Sequence, residues 1–330
     1  MILKRLSLTS LAALIFFVLP AAAQEHRDSA ENYPNRSVRF VVPFPAGGPT
    51  DILTRIVAQR LGETWNQPVI VENRPGANTG IGAQIVARSA PDGYTLLAAM
   101  DSTLVMNPAT SSNLSYDPFK DFAAITLAAK NTSLLTVRAA DGPRSVKELI
   151  ARGKASAGKL NYGAGIAITR LAGYLFSRRA GFDAVLIPYK GSAEVVQGLL
   201  SGSVDFIVDG TASSLPLIQG GQFRALAKLN SAPLPPLPDL PTLALAADLP
   251  ALDDMSSWIG FIAPAGTPRP VIDKIRSEVE RIYADPAIAK KLESAGINAV
   301  TTTPEEFDSF FRREAERWTK VFRESGIRLE

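Results

Sequence analysis

The chain contains no cysteine and only one histidine, His26, which lies in a polar stretch near the N-terminus. Without cysteine the protein has no disulfides and no thiolate metal ligands, so packing alone must stabilise it. A single histidine in an exposed segment excludes Ser-His-Asp and Cys-His catalysis, histidine zinc sites and histidine general bases. We therefore expect neither an enzyme nor a protein that carries a metal or a cofactor.

The chain also lacks a marked excess of basic over acidic residues or the reverse. The chain has 35 Lys and Arg residues against 32 Asp and Glu residues, which gives a formal net charge of +3. It has no basic tract of the kind that nucleic acids or anionic membranes require. We therefore expect no nucleic-acid partner.

Residues 1–23 are typical of a cleaved secretory signal. Lys4 and Arg5 provide the positive start, and the apolar run Leu11–Leu19 is too short for a comfortable membrane span. The small residues of Ala21-Ala22-Ala23 precede the expected cleavage site, so we predict export and cleavage after Ala23. The alternative is an uncleaved membrane anchor.

Strand and helix patterns alternate through the rest of the chain, which at 330 residues is long enough for two domains. This alternation is typical of an α/β fold, in which helices cover both faces of a parallel sheet. It resumes after Gly142-Pro143, which predicts a second α/β unit. Strands are predicted at 38–42, 69–71, 94–98, 160–162, 185–187, 204–208 and 258–263, and helices at 52–61, 81–88, 169–177, 193–200, 270–283 and 304–325.

The first predicted strand and helix are joined by a Gly/Pro-rich loop, Pro43-Phe44-Pro45-Ala46-Gly47-Gly48-Pro49-Thr50-Asp51. Its glycines let backbone N–H groups approach a ligand, and the helix N-terminus adds partial positive charge, so together they form an anion site. The loop lacks the Lys-Ser/Thr pair of a Walker loop and the Gly-x-Gly-x-x-Gly of a dinucleotide site. The alternative is a tight turn with Thr50 or Asp51 as N-cap, and both functions can share one helix end.

Small and polar residues follow four other predicted strands in the same way. In open α/β sheets ligands bind outside the carboxyl ends of the strands, so these segments would line a cleft between the two units. They are Asp101-Ser102-Thr103, Gly163-Ala164-Gly165 with Thr169 and Arg170, Pro188-Tyr189-Lys190-Gly191-Ser192, and Asp209-Gly210-Thr211.

Catalytic motifs are weak. Ser156 and Lys159 match the Ser-x-x-Lys of penicillin-recognising enzymes, but the companion Lys-Thr-Gly is absent, as is a Gly-x-Ser-x-Gly elbow. A periplasmic hydrolase is therefore kept only as an alternative.

Further stretches match one family over nearly the whole chain. They include Val71-Glu72-Asn73-Arg74-Pro75-Gly76-Ala77, Ala90-Pro91-Asp92-Gly93-Tyr94-Thr95-Leu96, Pro188-Tyr189-Lys190-Gly191-Ser192 and Ala263-Pro264-Ala265-Gly266-Thr267-Pro268. With these stretches the chain resembles the Bug/TctC family, the extracytoplasmic solute receptors of tripartite tricarboxylate transporters. The resemblance implies a type II periplasmic-binding-protein fold, with two α/β lobes joined by crossing hinge strands. We expect lobe one to comprise 33–139 plus 253–330, and lobe two 140–252.

The resemblance also implies a carboxylate ligand, held by backbone N–H groups and ordered waters at the loop matching Phe44 to Asp51. The segment matching Ser102-Thr103 and the strand end matching Asp209 would line the same cleft. The expected ligand-binding residues are Phe44, Pro45, Ala46, Gly47, Gly48, Thr50, Asp51, Ser102, Thr103, Gly165, Thr169, Arg170, Tyr189 and Asp209.

The chain departs from the family pattern at one loop. Members usually carry Ser/Ala-Gly-x-Gly-Ser/Thr-x-x-His there, whereas this chain has a shorter, more apolar loop over 163–170 with Arg170 at the histidine position. One interpretation is that Arg170 pairs a second carboxylate bidentately, while Ile166 and Ile168 favour an apolar ligand body. The other is an exposed helix arginine beside a repacked loop.

The resemblance thus predicts a monomeric periplasmic receptor that delivers a small carboxylate or dicarboxylate to the membrane subunits of a tripartite tricarboxylate-type transporter. Three alternatives remain at this stage: a co-receptor that presents its ligand to a sensor kinase, an orphan receptor without a transporter, and the periplasmic hydrolase.

Overall fold

A computed structural model describes residues 32–111, 113–156, 160–252 and 255–325. The predicted signal, its cleavage site, His26 and Lys159 lie outside these residues. In the part of the chain that is described, no helix is both long enough and apolar enough to cross a membrane.

The first sheet of the described chain has six strands. They are β1 (Val38–Val42), β2 (Val69–Asn73), β3 (Thr95–Met100), β4 (Phe122–Asn131), β10 (Ser257–Pro264) and β11 (Ile297–Ala299). Their spatial order is β11-β4-β10-β3-β1-β2. Strand β1 runs parallel to β2 and β3, whereas β10 is antiparallel to both β3 and β4.

The second sheet has five strands. They are β5 (Ser133–Arg138), β6 (Leu160–Ala164), β7 (Ala184–Pro188), β8 (Phe206–Gly210) and β9 (Phe223–Lys228). Their order is β7-β6-β8-β5-β9, with β6 parallel to β7 and β8, and β5 antiparallel to β8 and β9.

Helices connect these strands and cover the sheets. In chain order they are α1 (Pro49–Trp65), α2 (Gly80–Ala87), a π-helical turn (Ser102–Met106), α3 (Asn107–Thr110), α4 (Val146–Ala155), α5 (Ala167–Ala180), α6 (Ser192–Leu200), α7 (Thr211–Gln219), α8 (Leu243–Ala247), a 3₁₀ turn (Pro250–Leu252), α9 (Arg269–Tyr283), α10 (Pro286–Ser294) and α11 (Pro304–Ser325). The predicted α/β class and the predicted strands and helices are confirmed, with ends displaced by a few residues. The final helical segment is one helix.

No strand or helix is predicted from the sequence over 122–138 or 211–228. The structure has β4, β5, α7 and β9 there. Strand β4 is rich in alanine, which is depleted in strands generally. Its residues 125–129 are all buried, so this part lacks the alternation that marks a half-exposed strand.

The chain crosses between the two sheets at two places. Strand β4 of the first sheet passes into β5 of the second through Thr132 alone, and the return runs from Lys228 to Ser257. We propose that the lobes divide at Thr132 and within 229–256, earlier than the expected 139/140 boundary, because β5 pairs with β8 and β9 of the second sheet.

Helix α11 closes the first lobe through an aromatic face. Phe307 lies over Gly260 of β10, where a Cβ would stand only 2.0 Å from the Cζ atom of the ring. The Trp258 and Phe307 rings meet edge to face, with centroids 5.7 Å apart. This packing holds β10, and with it the floor of the cleft described next, in a fixed position.

Candidate functional site

A cleft lies between the two sheets at the carboxyl ends of their parallel strands. It consists of a larger cavity of about 480 Å³ and a smaller cavity of about 140 Å³. Phe44, Pro45 and Ile166 line both cavities. The two cavities therefore adjoin along a shared apolar wall, and together they suit a small organic molecule.

Five helices begin at this cleft, and none has a side chain that caps its N-terminus. The first N–H groups of a helix have no partner within the helix, and they carry its partial positive charge. Three helices that begin elsewhere, α4, α8 and α10, are capped by the side chains of Ser145, Thr242 and Asp285, whereas α9 begins after Pro268 without a side-chain cap. The uncapped N-cap residues at the cleft belong to α1, α2, α5, α6 and α7 and are Gly48, Thr79, Ile166, Gly191 and Gly210. The cleft is therefore suited to anions.

The loop before α1 is held in place by Asp51. Its carboxylate accepts hydrogen bonds from the N–H of Gly47 (3.0 Å), from Nε of Arg55 (3.0 Å) and from Nδ2 of Asn73 (2.9 Å). Burial alone would raise the pKa of Asp51, but these hydrogen bonds hold it below its usual value. Asp51 therefore fixes the loop from behind, while the N-cap is Gly48 and neither Thr50 nor Asp51.

Arg170 lies on the wall of the larger cavity. One guanidinium nitrogen donates to the carbonyl of Tyr189 (3.1 Å) and, more weakly, to that of Gly165 (3.5 Å), while its Nε is buried without a partner. No carboxylate of the described chain lies within ion-pairing distance of it. Burial lowers the pKa of Arg170 from its usual value. Arg170 is thus an oriented, half-buried cation that faces the cavity.

The opposite wall of the larger cavity is a turn that the sequence analysis did not place in the site. Gly76, Ala77, Asn78 and Thr79 all have positive φ values, between 47° and 126°. Such strain persists where the surroundings enforce it and concentrates at ligand sites. Asn107 braces the turn by donating to the hydroxyl of Thr79 (3.2 Å). The available sequence signal was Gly76 together with Asn78, residue types that tolerate the left-handed region.

The smaller cavity holds Asp209, which is 3% exposed. Its two oxygens accept hydrogen bonds from the hydroxyls of Ser192 (2.8 Å) and Ser213 (2.7 Å). Burial raises the pKa of Asp209, and the two hydroxyls offset part of that rise. Asn131 and Ser133, which sequence reasoning missed because they lie in the unassigned segment 122–138, line the same cavity.

Most of the expected binding residues come together at the cleft. Those that line it are Phe44, Pro45, Ala46, Gly48, Thr50, Ser102, Gly165, Arg170, Tyr189 and Asp209. Tyr189 contributes chiefly its backbone, because its ring packs over Gly198, where a Cβ would stand 2.2 Å from the phenolic oxygen.

Four expected residues do not line either cavity: Gly47, Asp51, Thr103 and Thr169. The N–H of Gly47 is used by Asp51. Thr103 is fully buried, and its carbonyl accepts from Tyr116 (2.5 Å). The hydroxyl of Thr169 donates to the carbonyl of Ile166 (3.0 Å) and so closes the first turn of α5. These residues position the site and do not touch its space.

Comparison with known proteins agrees with this geometry. The family model "Tripartite tricarboxylate transporter family receptor" matches residues 53–327. The protein BugT of Bordetella pertussis is 31% identical over 329 residues, covering 98% of this chain and 100% of its own. A protein from Pseudomonas sp. strain P51 is 35% identical over 293 residues, covering 88% of this chain and 86% of its own.

Solved structures of the same fold are also similar. The periplasmic binding protein BugD has a TM-score of 0.82 at 32% identity, over 90% of this chain and 99% of its own. An R. palustris protein solved with adipate has a TM-score of 0.85 at 32% identity, with the same coverage. MatC of Rhodopseudomonas palustris, solved with malate, has a TM-score of 0.80 at 30% identity, over 88% and 99%. The chain therefore belongs to the TctC family of tripartite tricarboxylate transporter receptors and is a periplasmic solute-binding receptor, not an enzyme.

Proposed function

We propose that this receptor captures a small dicarboxylate and delivers it to the membrane subunits of a tripartite tricarboxylate-type transporter. The observation that carries the proposal is the convergence of five uncapped helix N-termini on one cleft that also contains an unpaired arginine. Helix N-termini without side-chain caps and a guanidinium without an ion-pair partner both favour an anion, and a carboxylate suits each.

One carboxylate of the ligand occupies the smaller cavity. The N-termini of α1, α6 and α7 meet there, at Gly48, Gly191 and Gly210. The side chains of Thr50 and Ser192 line the same cavity. Backbone donors, with waters between them and the ligand where the space allows, hold an anion without a basic side chain.

The second carboxylate pairs with Arg170 in the larger cavity. Because two backbone carbonyls already orient the guanidinium, little side-chain freedom is lost on binding. The ligand body lies along the apolar wall that the two cavities share, formed by Phe44, Pro45 and Ile166. The two neighbours solved with adipate and with malate, which are both dicarboxylates, support this class of ligand.

Calorimetric titration of the purified receptor with mono- and dicarboxylates of three to eight carbons tests the ligand class. We expect a dicarboxylate to bind best, and Arg170→Met to weaken it at least about tenfold while leaving the monocarboxylate of equal length unchanged. Arg179→Met, an exposed change on the same helix, is the matched control. Equal affinity of the wild type and Arg170→Met for every dicarboxylate would refute the role of Arg170, and a flat titration throughout would refute the ligand class.

Delivery to the membrane is tested in cells. We propose that the exported protein, cleaved after Ala23, acts as a monomer and is required for uptake of the dicarboxylate that it binds. Deletion of the receptor is expected to abolish uptake of the labelled ligand. Normal uptake combined with a lost transcriptional response would instead favour the co-receptor of a sensor kinase.

A further inference from the structure

The floor of the smaller cavity is built from the strands at the crossing between the lobes. Asn131 ends β4, Ser257 begins β10 beside it in register, and Ser133 begins β5 opposite Gly210. All three residues line the cavity. The floor therefore lies at the hinge, below the helix N-termini that would hold a carboxylate.

Two of these side chains lack hydrogen-bond partners. Asn131 is 3% exposed, and neither its Nδ2 nor its Oδ1 has a hydrogen-bond partner in the described chain. Ser133 is 1% exposed, and its hydroxyl likewise has no partner there. The adjacent polar groups are satisfied, because Thr132 donates to Asn230 (3.1 Å) and Asn230 donates to Ser256 (2.8 Å). Leaving a buried amide unpaired is costly, so the Asn131 side chain is suited to a bound polar group.

A carboxylate alone does not match this floor. A carboxylate only accepts hydrogen bonds, so it would serve Nδ2 of Asn131 and the hydroxyl of Ser133 but leave Oδ1 of Asn131 unpaired. A hydroxyl group both donates and accepts, and so serves both atoms of the amide. An ammonium group would serve only the acceptor, and it would place a positive charge among the uncapped helix N-termini.

We propose that the floor binds a hydroxyl group on the carbon next to one ligand carboxylate, so that the preferred ligand is a 2-hydroxydicarboxylate. This inference rests on the proposed function. The cavity of about 140 Å³ encloses both the helix N-termini and the floor, so the hydroxyl lies within a few bonds of the carboxylate. Asn131 and Ser133 then determine specificity, while Arg170 and the helix N-termini supply the general attraction for the two carboxylates.

Matched ligand pairs test the inference by titration calorimetry. The pairs are succinate and malate, glutarate and 2-hydroxyglutarate, and adipate and 2-hydroxyadipate, with aspartate, glutamate and 2-aminoadipate as the amino counterparts. At the best chain length we expect one enantiomer of the hydroxy acid to bind at least about tenfold more tightly than the unsubstituted acid. Asn131→Leu and Ser133→Ala are each expected to reduce that ratio.

Thr136→Val is the matched control. Like Ser133, Thr136 lies on β5 with a buried, unpartnered hydroxyl, but it lines neither cavity of the cleft. Its loss is expected to leave the hydroxy-to-unsubstituted affinity ratio unchanged, whatever it does to stability. Three outcomes would overturn the inference but leave the dicarboxylate function standing. They are equal binding of the hydroxy and unsubstituted acids, tighter binding of the amino counterparts, and a hydroxyl preference that is unchanged in both Asn131→Leu and Ser133→Ala. Failure of every acid to bind would overturn both.

Discussion

Two buried carboxylates show how strongly surroundings change the behaviour of one residue type. The carboxylate of Asp51 is satisfied by three donors, so its pKa lies below the usual value. Asp101, just before cavity-lining Ser102, is fully buried, and neither of its oxygens has a partner in the described chain. Burial raises the pKa of Asp101 to about 8, with a further contribution from the charge of Glu314. Asp101 therefore holds its proton to a higher pH than an exposed carboxyl group does.

The raised pKa of Asp101 makes the free energy of unfolding depend on pH. Between the ordinary pKa of 3.8 and about 8, folded Asp101 retains a proton that the unfolded chain has released, so the free energy of unfolding falls as the pH rises. Asp101→Asn mimics the protonated acid and removes this loss. We expect the unfolding free energy of the variant, relative to that of the wild type, to rise across that pH interval by at most about 1.4 kcal/mol per pH unit. Above the interval the difference should stay constant. Urea denaturation at a series of pH values measures this, and parallel curves would contradict it.

At the scale of the element, the helices that begin at the cleft share the lack of a side-chain cap. Away from the cleft, Ser145, Thr242 and Asp285 cap three helices with side-chain oxygens, although α9 has no such cap. At the cleft three of the five N-caps are glycines, and the side chains of the other two, Thr79 and Ile166, accept no capping hydrogen bond. Side-chain caps stabilise a helix, so their absence at every cleft helix leaves donors for a ligand at a cost in stability.

Filling one cap separates these two effects. A Cβ at Gly48 has no atom within 4 Å, and its backbone is extended, so a side chain fits there. We expect Gly48→Asp to raise the unfolding free energy of the unliganded protein by a few tenths of a kcal/mol and to weaken dicarboxylate binding at least about tenfold. Gly48→Asn caps without charge and should weaken binding less. Paired denaturation and titration check both values, and an Asp variant that binds as well as the Asn variant would contradict the anion site.

At the scale of the whole molecule, the two sheets repeat one topology. Each sheet contains three neighbouring parallel strands, in the order β2-β1-β3 in the first and β7-β6-β8 in the second. An antiparallel strand then extends each set: β10, from later in the chain, pairs with β3, and β5, from earlier in the chain, pairs with β8. The lobes touch across the cleft. A Cβ on Gly191 would lie 3.6 Å from Cγ of Pro45, and a Cβ on Gly210 would lie 3.2 Å from Cγ of Pro49. The lobes therefore approach each other closely at these two positions, where glycine leaves room for the facing prolines.

A larger side chain at this contact should keep the lobes apart. Gly191 has an extended backbone that any residue adopts. We expect Gly191→Val to lower dicarboxylate affinity at least about tenfold, because its methyl groups would meet Pro45 on closure. Gly191→Ala is the control, because it also removes the N-cap glycine but its methyl group makes only ordinary van der Waals contact with Pro45. The unfolding free energies of the two variants should differ by less than about 0.5 kcal/mol. Equal affinities in the two variants would show that closure does not involve this contact.

Local pattern was enough to predict much of the protein. Periods of two and 3.6 residues predicted most strands and helices, and Gly47-Gly48 between a strand and a helix indicated the anion site. The rule that ligands bind at carboxyl ends of strands predicted Ser102, Gly165 and Asp209 as parts of one cleft, and all three line it. Such features are open to prediction from sequence because each depends on neighbours in the chain.

Tertiary structure decided the rest. Asn131 and Ser133 carry no local sign of a site, and they became its floor only because β4 and β5 meet β10 and β8 from distant parts of the chain. Thr103 and Thr169 turned away from the cavity because the helical turns that contain them set the direction of their side chains. The sequence alone determined that the protein has an α/β fold with a Gly/Pro-rich loop between its first strand and helix. Which atoms are left unpaired in the cleft was decided by packing between segments far apart, and no local pattern encodes that.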